Sequence, residues 1–247
     1  MNPLKVYNNI QIQIFFNNSN MNFSLLSFNT HHNGLAFNSK FYYDLKFYRD
    51  LFLSDINIFQ EIILNEFPNQ FAERIGYNYL YHEIGTFNVK DLNYDKRKDK
   101  LFCLVLETKF EILRHEIIYV GHYGKDPRNT ILKATLKINN EEVIIYAIHL
   151  TVGSLPYGSF KQLQLLVKDI DLNKKIIFVG DHNLWSFAVR LLLPKSFTQV
   201  VRGGTWPSVL PFNQIDQIFS NNLEVIHGKV INKKVSDHLP IIANFSI

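Results

Sequence analysis

The chain has 247 residues, of which 47% are hydrophobic and 14% aromatic; this suits one large domain with a real core and excludes an intrinsically disordered chain. Its 26 Lys and Arg against 22 Asp and Glu give a formal charge of +4 and a pI near 9.0, a mild balance that permits a polyanionic partner without demanding one. The single cysteine, Cys103, lies in the apolar run 101–106, so it excludes an intrachain disulfide and reads as a buried core thiol.

No run reaches the ~18 apolar residues of a membrane span. The N-terminus lacks the positive start and apolar core of a secretory signal. The expected location is the cytoplasm, or outside the cell by a route without a recognisable signal peptide, and the expected state is a monomer.

Residues 1–21 read as an Asn-rich lead-in. Its alternating Ile10-Gln11-Ile12-Gln13-Ile14 predicts an extra strand, hairpinned through Asn17–Asn20 to a strand ending at Asn29. Phe41, Leu45, Tyr48 and Phe52 follow one helical face. A short strand, Ile56–Phe59, delivers Glu61; residues 64–75 read as helix, and 85–100 as a loop with the basic run 95–100. Strands are predicted at 101–107 and 115–121, then a hairpin with arms near 130–138 and 142–149 turning at Asn139-Asn140. Ser159 and Gln162 fit a capping box before a helix striped by Phe160, Leu163, Val167 and Ile170. A strand at 174–180, a short helix at 186–193, and strands near 197–201, 213–219, 223–231 and 240–246 complete the series. The runs Val143–Ile148 and Ile176–Val179 are apolar on both faces, as in strands of a covered sheet. Two mainly antiparallel sheets packed face to face with helices outside, an α/β/β/α sandwich in four layers, are therefore expected over residues 22–247.

Polar residues collect where apolar runs end. The clusters are Ser27-Phe28-Asn29, Phe59-Gln60-Glu61, Ile148-His149-Leu150, Gly180-Asp181-His182-Asn183 and Ser236-Asp237-His238-Leu239-Pro240, with Asp216 inside the run 214–219. Carboxylates, carboxamides and imidazoles at strand ends are the makings of a divalent-metal site for phosphoesters. Asp181 and Asn183 stand two apart, so in extended backbone they project to one side.

In this order the clusters resemble the endonuclease/exonuclease/phosphatase superfamily, which spans nucleases, sphingomyelinases and inositol-polyphosphate phosphatases. Residues 180–243 are similar to a bacterial subgroup of unspecified substrate, through Gly180-Asp181-His182-Asn183, Trp185-Ser186, Thr205-Trp206-Pro207, Ile215-Asp216-Gln217 and Ser236–Pro240. The resemblance implies hydrolysis with Mg²⁺ or Mn²⁺ held by Glu61, Asn29 and Asp237. It implies Asp181 as the group that activates water, Asn183, His149 and Arg128 on the phosphate, and Asp216 paired with a cationic His238. Nucleic acid is the leading substrate. A phospholipid, sphingomyelin or phosphoinositide headgroup is the alternative, and a binding module with a dead site the third. Three features depart from the pattern. His182 replaces an aromatic or aliphatic residue and is expected to face away from the metal. Gln217 replaces a common His. His31-His32 read as an exposed loop pair.

Overall fold

Apolar alternation with a period of two builds both sheets. Along Val143–Ile148, one set of side chains (Val143, Ile145, Ala147) joins a core between the sheets, and the other (Ile144, Tyr146, Ile148) joins a core under helices. The same split divides Ile177 and Val179 from Ile176 and Phe178. Full burial of each such side chain contributes about 1.5–3 kcal/mol, so these strands lie in the covered centre of a sheet, as the sequence predicts.

The structure is a computed structural model and describes residues 21–31, 45–64, 76–87, 100–124, 126–152 and 156–247. One six-stranded sheet contains β1 (Asn22–Asn29), β2 (Ile56–Leu64), β3 (Asn78–Phe87), β4 (Lys100–Thr108), β11 (Glu224–Val230) and β12 (Ile241–Ser246), in the order β11-β12-β1-β2-β4-β3. The other contains β5 (Glu111–Tyr119), β6 (Thr130–Ile138), β7 (Glu141–His149), β8 (Lys175–Asp181), β9 (Thr198–Gln199) and β10 (Asp216–Asn221), in the order β5-β6-β7-β8-β10-β9. Each sheet has one parallel pair, β1 with β2 and β7 with β8; the remaining pairs are antiparallel. On the outer face of the first sheet, α1 (Leu45–Leu51) and the residue after it place Tyr48 and Phe52 against Phe28, at 5.4 and 5.6 Å between ring centres. Two more helices, α2 (Tyr157–Leu166) and α3 (Ser186–Leu192), cover the second sheet through Leu163, Leu166, Ala188 and Val189. The four layers are those expected.

Asn139 and Asn140 both have positive φ, +48° and +63°. A tight hairpin needs this at its two central residues, and asparagine tolerates it. The ends of other elements differ from expectation. The strand predicted at 115–121 starts at Glu111, β3 has no counterpart among the predicted elements, and the loop expected at 85–100 is strand at both its ends, 85–87 in β3 and Lys100 in β4. β3 pairs with β4 alone, and its Tyr79 and Tyr81 are exposed, so no apolar alternation betrays it. Ser159 and Gln162 form no capping box: α2 begins at Tyr157 behind Pro156 without a side-chain cap. Leu64, expected to start a helix over 64–75, ends β2 instead; the rest of that helix, the lead-in strand at 10–14, the start of the helix at Phe41, His32 and the basic run up to Asp99 fall outside the described residues.

One glycine is demanded by the packing. Gly180 has φ +138°, and a Cβ there would stand 2.0 Å from the carbonyl oxygen of Ile148. β8 can lie against the end of β7 only without a side chain, and the residue so placed immediately precedes Asp181. Gly180→Ala is expected to cost ~3 kcal/mol, the upper end for backbone strain. A urea midpoint equal to that of the native protein would contradict the close approach.

Candidate active site

The sheets meet at one edge, where strand register lines up the polar residues. In the second sheet, His149 stands opposite Asp181 in the β7–β8 pair, and Asp181 opposite Asp216 in the β8–β10 pair. In the first sheet, Asn29 stands opposite Gln60. The next residue, Glu61, is turned into the gap by a bulge: register shifts between Phe59 and Ile62, and Glu61 takes φ +58°. A left-handed non-glycine residue in a bulge is strained backbone of the kind that re-aims a side chain.

Asn29 joins the two sheets. Its amide nitrogen donates to Glu61 Oε1 at 3.3 Å and to Asp181 Oδ2 at 3.0 Å, while its Oδ1 accepts the His31 N–H at 3.0 Å. Ser236 Oγ donates to the Asn29 carbonyl at 2.8 Å and ties the segment before β12 to the same point. Asp181 is buried, and that burial, reinforced by the Asp216 carboxylate, raises its pKa above the usual carboxylate range.

His238 Nδ1 lies 2.8 Å from Asp216 Oδ2, and its Nε2 is 3.9 Å from both Asp181 Oδ2 and Asp237 Oδ1. Burial alone would lower the pKa of this imidazole. The charge and hydrogen bond of Asp216, with Asp181 and Asp237 behind them, override burial and raise it to about 10. His238 is therefore an imidazolium at neutral pH, with its Nδ1 proton held by Asp216 and Nε2–H turned toward the gap.

On the opposite wall, Arg128 Nη1 donates to His149 Nε2 at 3.0 Å and reaches Glu61 Oε1 at 3.5 Å. A guanidinium has no acceptor, so His149 Nε2 accepts in this arrangement. Arg128 is held by Asp126, which accepts both its Nε–H (2.8 Å) and its backbone N–H (2.9 Å). Burial works to raise the Asp126 pKa, but the bonds and charge of Arg128 hold it below the ordinary value. The buried Gln162 accepts the Thr151 N–H at 2.8 Å and donates to the carbonyls of Gly121 and Arg128 at 3.0 and 2.6 Å. Ser159 Oγ bonds the Thr151 carbonyl at 2.8 Å. The two residues predicted to cap a helix instead fasten both loops that carry Arg128 and follow His149.

Asn183 has φ +46°, so the backbone turns after Asp181 rather than staying extended as expected. Its N–H bonds Asp181 Oδ1 at 2.8 Å and its Nδ2 bonds the Leu150 carbonyl at 2.9 Å. His182 is fully buried and points away, with Nδ1 3.0 Å from the Gly180 carbonyl oxygen; burial lowers its pKa to about 4. Gln217 is a buried tie, its Nε2 donating to the Leu184 carbonyl at 2.6 Å. His31 is no exposed loop residue: with φ +45° it ion-pairs with Asp237 Oδ1. Trp206 Nε1 donates to the other oxygen, Asp237 Oδ2, at 3.1 Å. Sequence reasoning missed Asp126, Gln162, His31 and Trp206 as parts of the site. Two of them left a local signal: Asp126, in an Asx turn two residues before Arg128, and Trp206, within the motif Thr205-Trp206-Pro207.

Glu61, Asp181, Asp216 and Asp237 thus crowd one edge with Arg128 and His238 as the principal balancing cations. Atoms of Asp181, Asp216 and His238 that could ligate a metal all lie within 4.8 Å of one another. A surplus of hard oxygen donors, one with its pKa driven up by burial and by a neighbouring carboxylate, fits a divalent cation.

No protein-family model matches this chain. A stretch of 108 residues is 32% identical to the UPF0758 protein CT0611 of Chlorobaculum tepidum, covering 40% of this chain and 48% of that protein, so the chain spans about half the length of the curated relative it matches. Solved structures match over almost the whole chain. The endonuclease/exonuclease/phosphatase from Beutenbergia cavernae is 14% identical at a TM-score of 0.69, over 92% of this chain and 72% of that one. An endonuclease/exonuclease/phosphatase family protein from Leptotrichia buccalis is 17% identical at 0.63, over 91% and 100%. D. rerio TDP2, complexed with a single strand DNA product, is 19% identical at 0.63, over 91% and 98%. This chain has the two-sheet sandwich fold of the endonuclease/exonuclease/phosphatase superfamily.

Proposed function

We propose that this protein is a divalent-metal-dependent phosphoester hydrolase that cleaves phosphodiester bonds of nucleic acid. The observation that carries the reading is the meeting of Asn29, Glu61, His149, Asp181, Asp216 and His238 at one sheet edge, each with a polar atom within 3.9 Å of another of them.

Glu61 and Asp237 would hold Mg²⁺ or Mn²⁺, with Asn29 supporting it once a half-turn of its carboxamide brings Oδ1 round to Glu61. When bound, the ion supplies Lewis-acid stabilisation of charge on phosphorus and the leaving oxygen. Asp181 takes a proton from the attacking water, and its raised pKa suits it to that task. His238 faces the phosphoryl oxygens as a cation whose orientation Asp216 sets. His149 and Arg128 line the other side, and Asn183 holds the loop after Asp181 in place while its Oδ1 positions the water. The water oxygen bonds to phosphorus, the P–O ester bond breaks, and the leaving alkoxide takes a proton from solvent water, while the proton on Asp181 returns to solvent.

Nucleic acid is favoured by the positive balance of the chain and by Arg128. It is favoured also by the fold's likeness to TDP2, which is seen with single-stranded DNA. One observation supports a second reading, a phospholipid headgroup. Val209, Leu210 and Phe212 are exposed on the loop after Trp206, beside Asp237, and an exposed apolar loop can meet a membrane. A parallel assay on plasmid DNA, RNA, sphingomyelin and phosphoinositides with Mg²⁺ decides between them. Among the described residues no helix is long and apolar enough to cross a membrane.

EDTA is expected to abolish turnover, and added Mg²⁺ to restore it. Glu61→Gln keeps the size and removes the charge, so activity in Mg²⁺ should fall ~10–100-fold or more, the range for loss of support at a metal site, with part of it recovered in excess Mn²⁺. Native turnover of this variant in Mg²⁺ would remove Glu61 from the metal site.

A further inference from the structure

Beyond Asn183 the chain leaves the catalytic edge and presents aromatic rings to solvent. Trp185, two residues on, is 49% exposed and Phe187 is 60% exposed. The two rings lie stacked at 5.7 Å with 23° between their planes. They face Tyr157, the first residue of α2, which is 62% exposed. Between α2 and α3 is a recess of about 350 Å³ walled by Tyr157, Phe160, Trp185, Phe187, Leu184 and Ala188. Lys161 Nζ sits 5.7 Å from the centre of the Tyr157 ring.

Folding does not account for this surface. Ala188 and Val189, on the inner face of α3, already pack on the second sheet, and the backbone at Leu184 is held by Gln217. Leaving stacked rings in water forgoes their burial, and grouped exposed apolar residues beside a catalytic edge mark a binding surface.

We propose that this recess is a stacking platform for an unpaired nucleobase of single-stranded nucleic acid, next to the phosphate being cleaved. This rests on the nucleic-acid reading above. Three observations select the occupant. The recess lies close to the site along the chain, since Trp185 follows Asn183 by two residues, at most ~7–8 Å of chain. Four of its six named walls are aromatic, and every base offers a π face to such rings without regard to sequence. Lys161, beside the Tyr157 ring, supplies a cation for a neighbouring phosphate. A lipid bilayer is matched by a convex apolar tip, whereas these rings wall a concave recess. In a duplex the base faces are already stacked, so the platform favours a single strand.

The test uses the full chain in Mg²⁺ with a mixed-sequence DNA single strand, its duplex, and bis-p-nitrophenyl phosphate, a diester without bases. The double variant Trp185→Ala with Phe187→Ala is expected to raise KM for the single strand roughly tenfold or more, the fold-change that follows from losing aromatic stacking on one base. KM for the duplex and turnover of the small diester should stay at native values. Trp185→Phe should keep the native KM. If turnover of the small diester falls in the double variant, Tyr157→Ala, on the opposite wall, carries the same expectation for the single strand. A native single-strand KM in these alanine variants, with cleavage intact, would overturn the platform and leave the nuclease reading standing. If the native protein hydrolyses the small diester but cleaves neither DNA form nor the matching RNA, the nuclease reading fails and the platform with it. Sedimentation of the native protein, but not the double variant, with phosphatidylglycerol vesicles would then assign the same rings to lipid and would equally overturn the nucleobase proposal.

Discussion

Asp181→Asn is expected to lower kcat by ~10²–10⁴-fold, the contribution of a positioned general base, while the protein stays folded. The substitution keeps the shape and keeps an oxygen for the Asn183 N–H, now 2.8 Å from Asp181 Oδ1. What it removes is a carboxylate whose proton affinity has been raised by burial and by Asp216. The bond that Asn29 Nδ2 donates to Asp181 Oδ2 is lost, but loss of one negative charge from a crowded acidic edge relieves repulsion, so the thermal midpoint should hold as activity collapses. Steady-state kinetics with calorimetry on the same sample checks both halves. Native turnover would exclude Asp181 as the base, and a fall in kcat with an equal loss of folded protein would reduce its role to structure.

The second large effect concerns Asp216 and His238. Asp216→Asn removes the strongest cause holding the imidazole protonated, so the His238 pKa should fall from about 10. Above that lowered value a neutral imidazole no longer offsets phosphoryl charge, and kcat there should drop ~10²–10³-fold, as when a transition-state donor is lost. The alkaline limb of the pH–rate profile moves down accordingly. Stability follows the same titration. The folded-state pKa of His238 lies above the value near 6.5 of an unfolded chain. Its stabilising contribution is therefore complete below about pH 6.5 and lost as pH rises toward about 10. Between those limits the native protein should lose stability, and Asp216→Asn should show a flatter profile. NMR titration of His238 in EDTA reads the pKa directly; the same value in both proteins would reject the pairing.

The two expectations draw on different kinds of information in the chain. Short stretches of sequence already show which residue types stand at the ends of apolar runs and in what order: Asn29, Glu61, His149, Asp181, Asp216, His238. A two-residue alternation or a Gly-Asp-x-Asn motif is a property of a few neighbouring residues, and the hydrophobic demand on a covered strand such as Val143–Ile148 is strong enough to be read locally. The same is true of the Asn139-Asn140 turn.

How these residues act on one another depends on contacts made only in the folded chain. Asn29 meets Asp181 across 152 positions of sequence, and Ser236 meets Asn29 across 207; no local pattern encodes contacts at such separations. The bulge that turns Glu61 inward arises from a register mismatch between β2 and β4, which neither strand shows on its own. β3 was hidden because an edge strand with exposed tyrosines carries little hydrophobic pattern. Gln162 looked like half of a capping box because its spacing from Ser159 is right for one. It serves the Arg128 and Thr151 loops because a buried carboxamide must satisfy its donors and acceptor, and in the folded chain those loops are the partners within reach. His31 looked like a loop residue until Asp237, supplied by the far end of the chain, came beside it. Local physics could say which side chains wait at the strand ends. Which of them share a proton, an ion pair or a metal depended on where the sheets close.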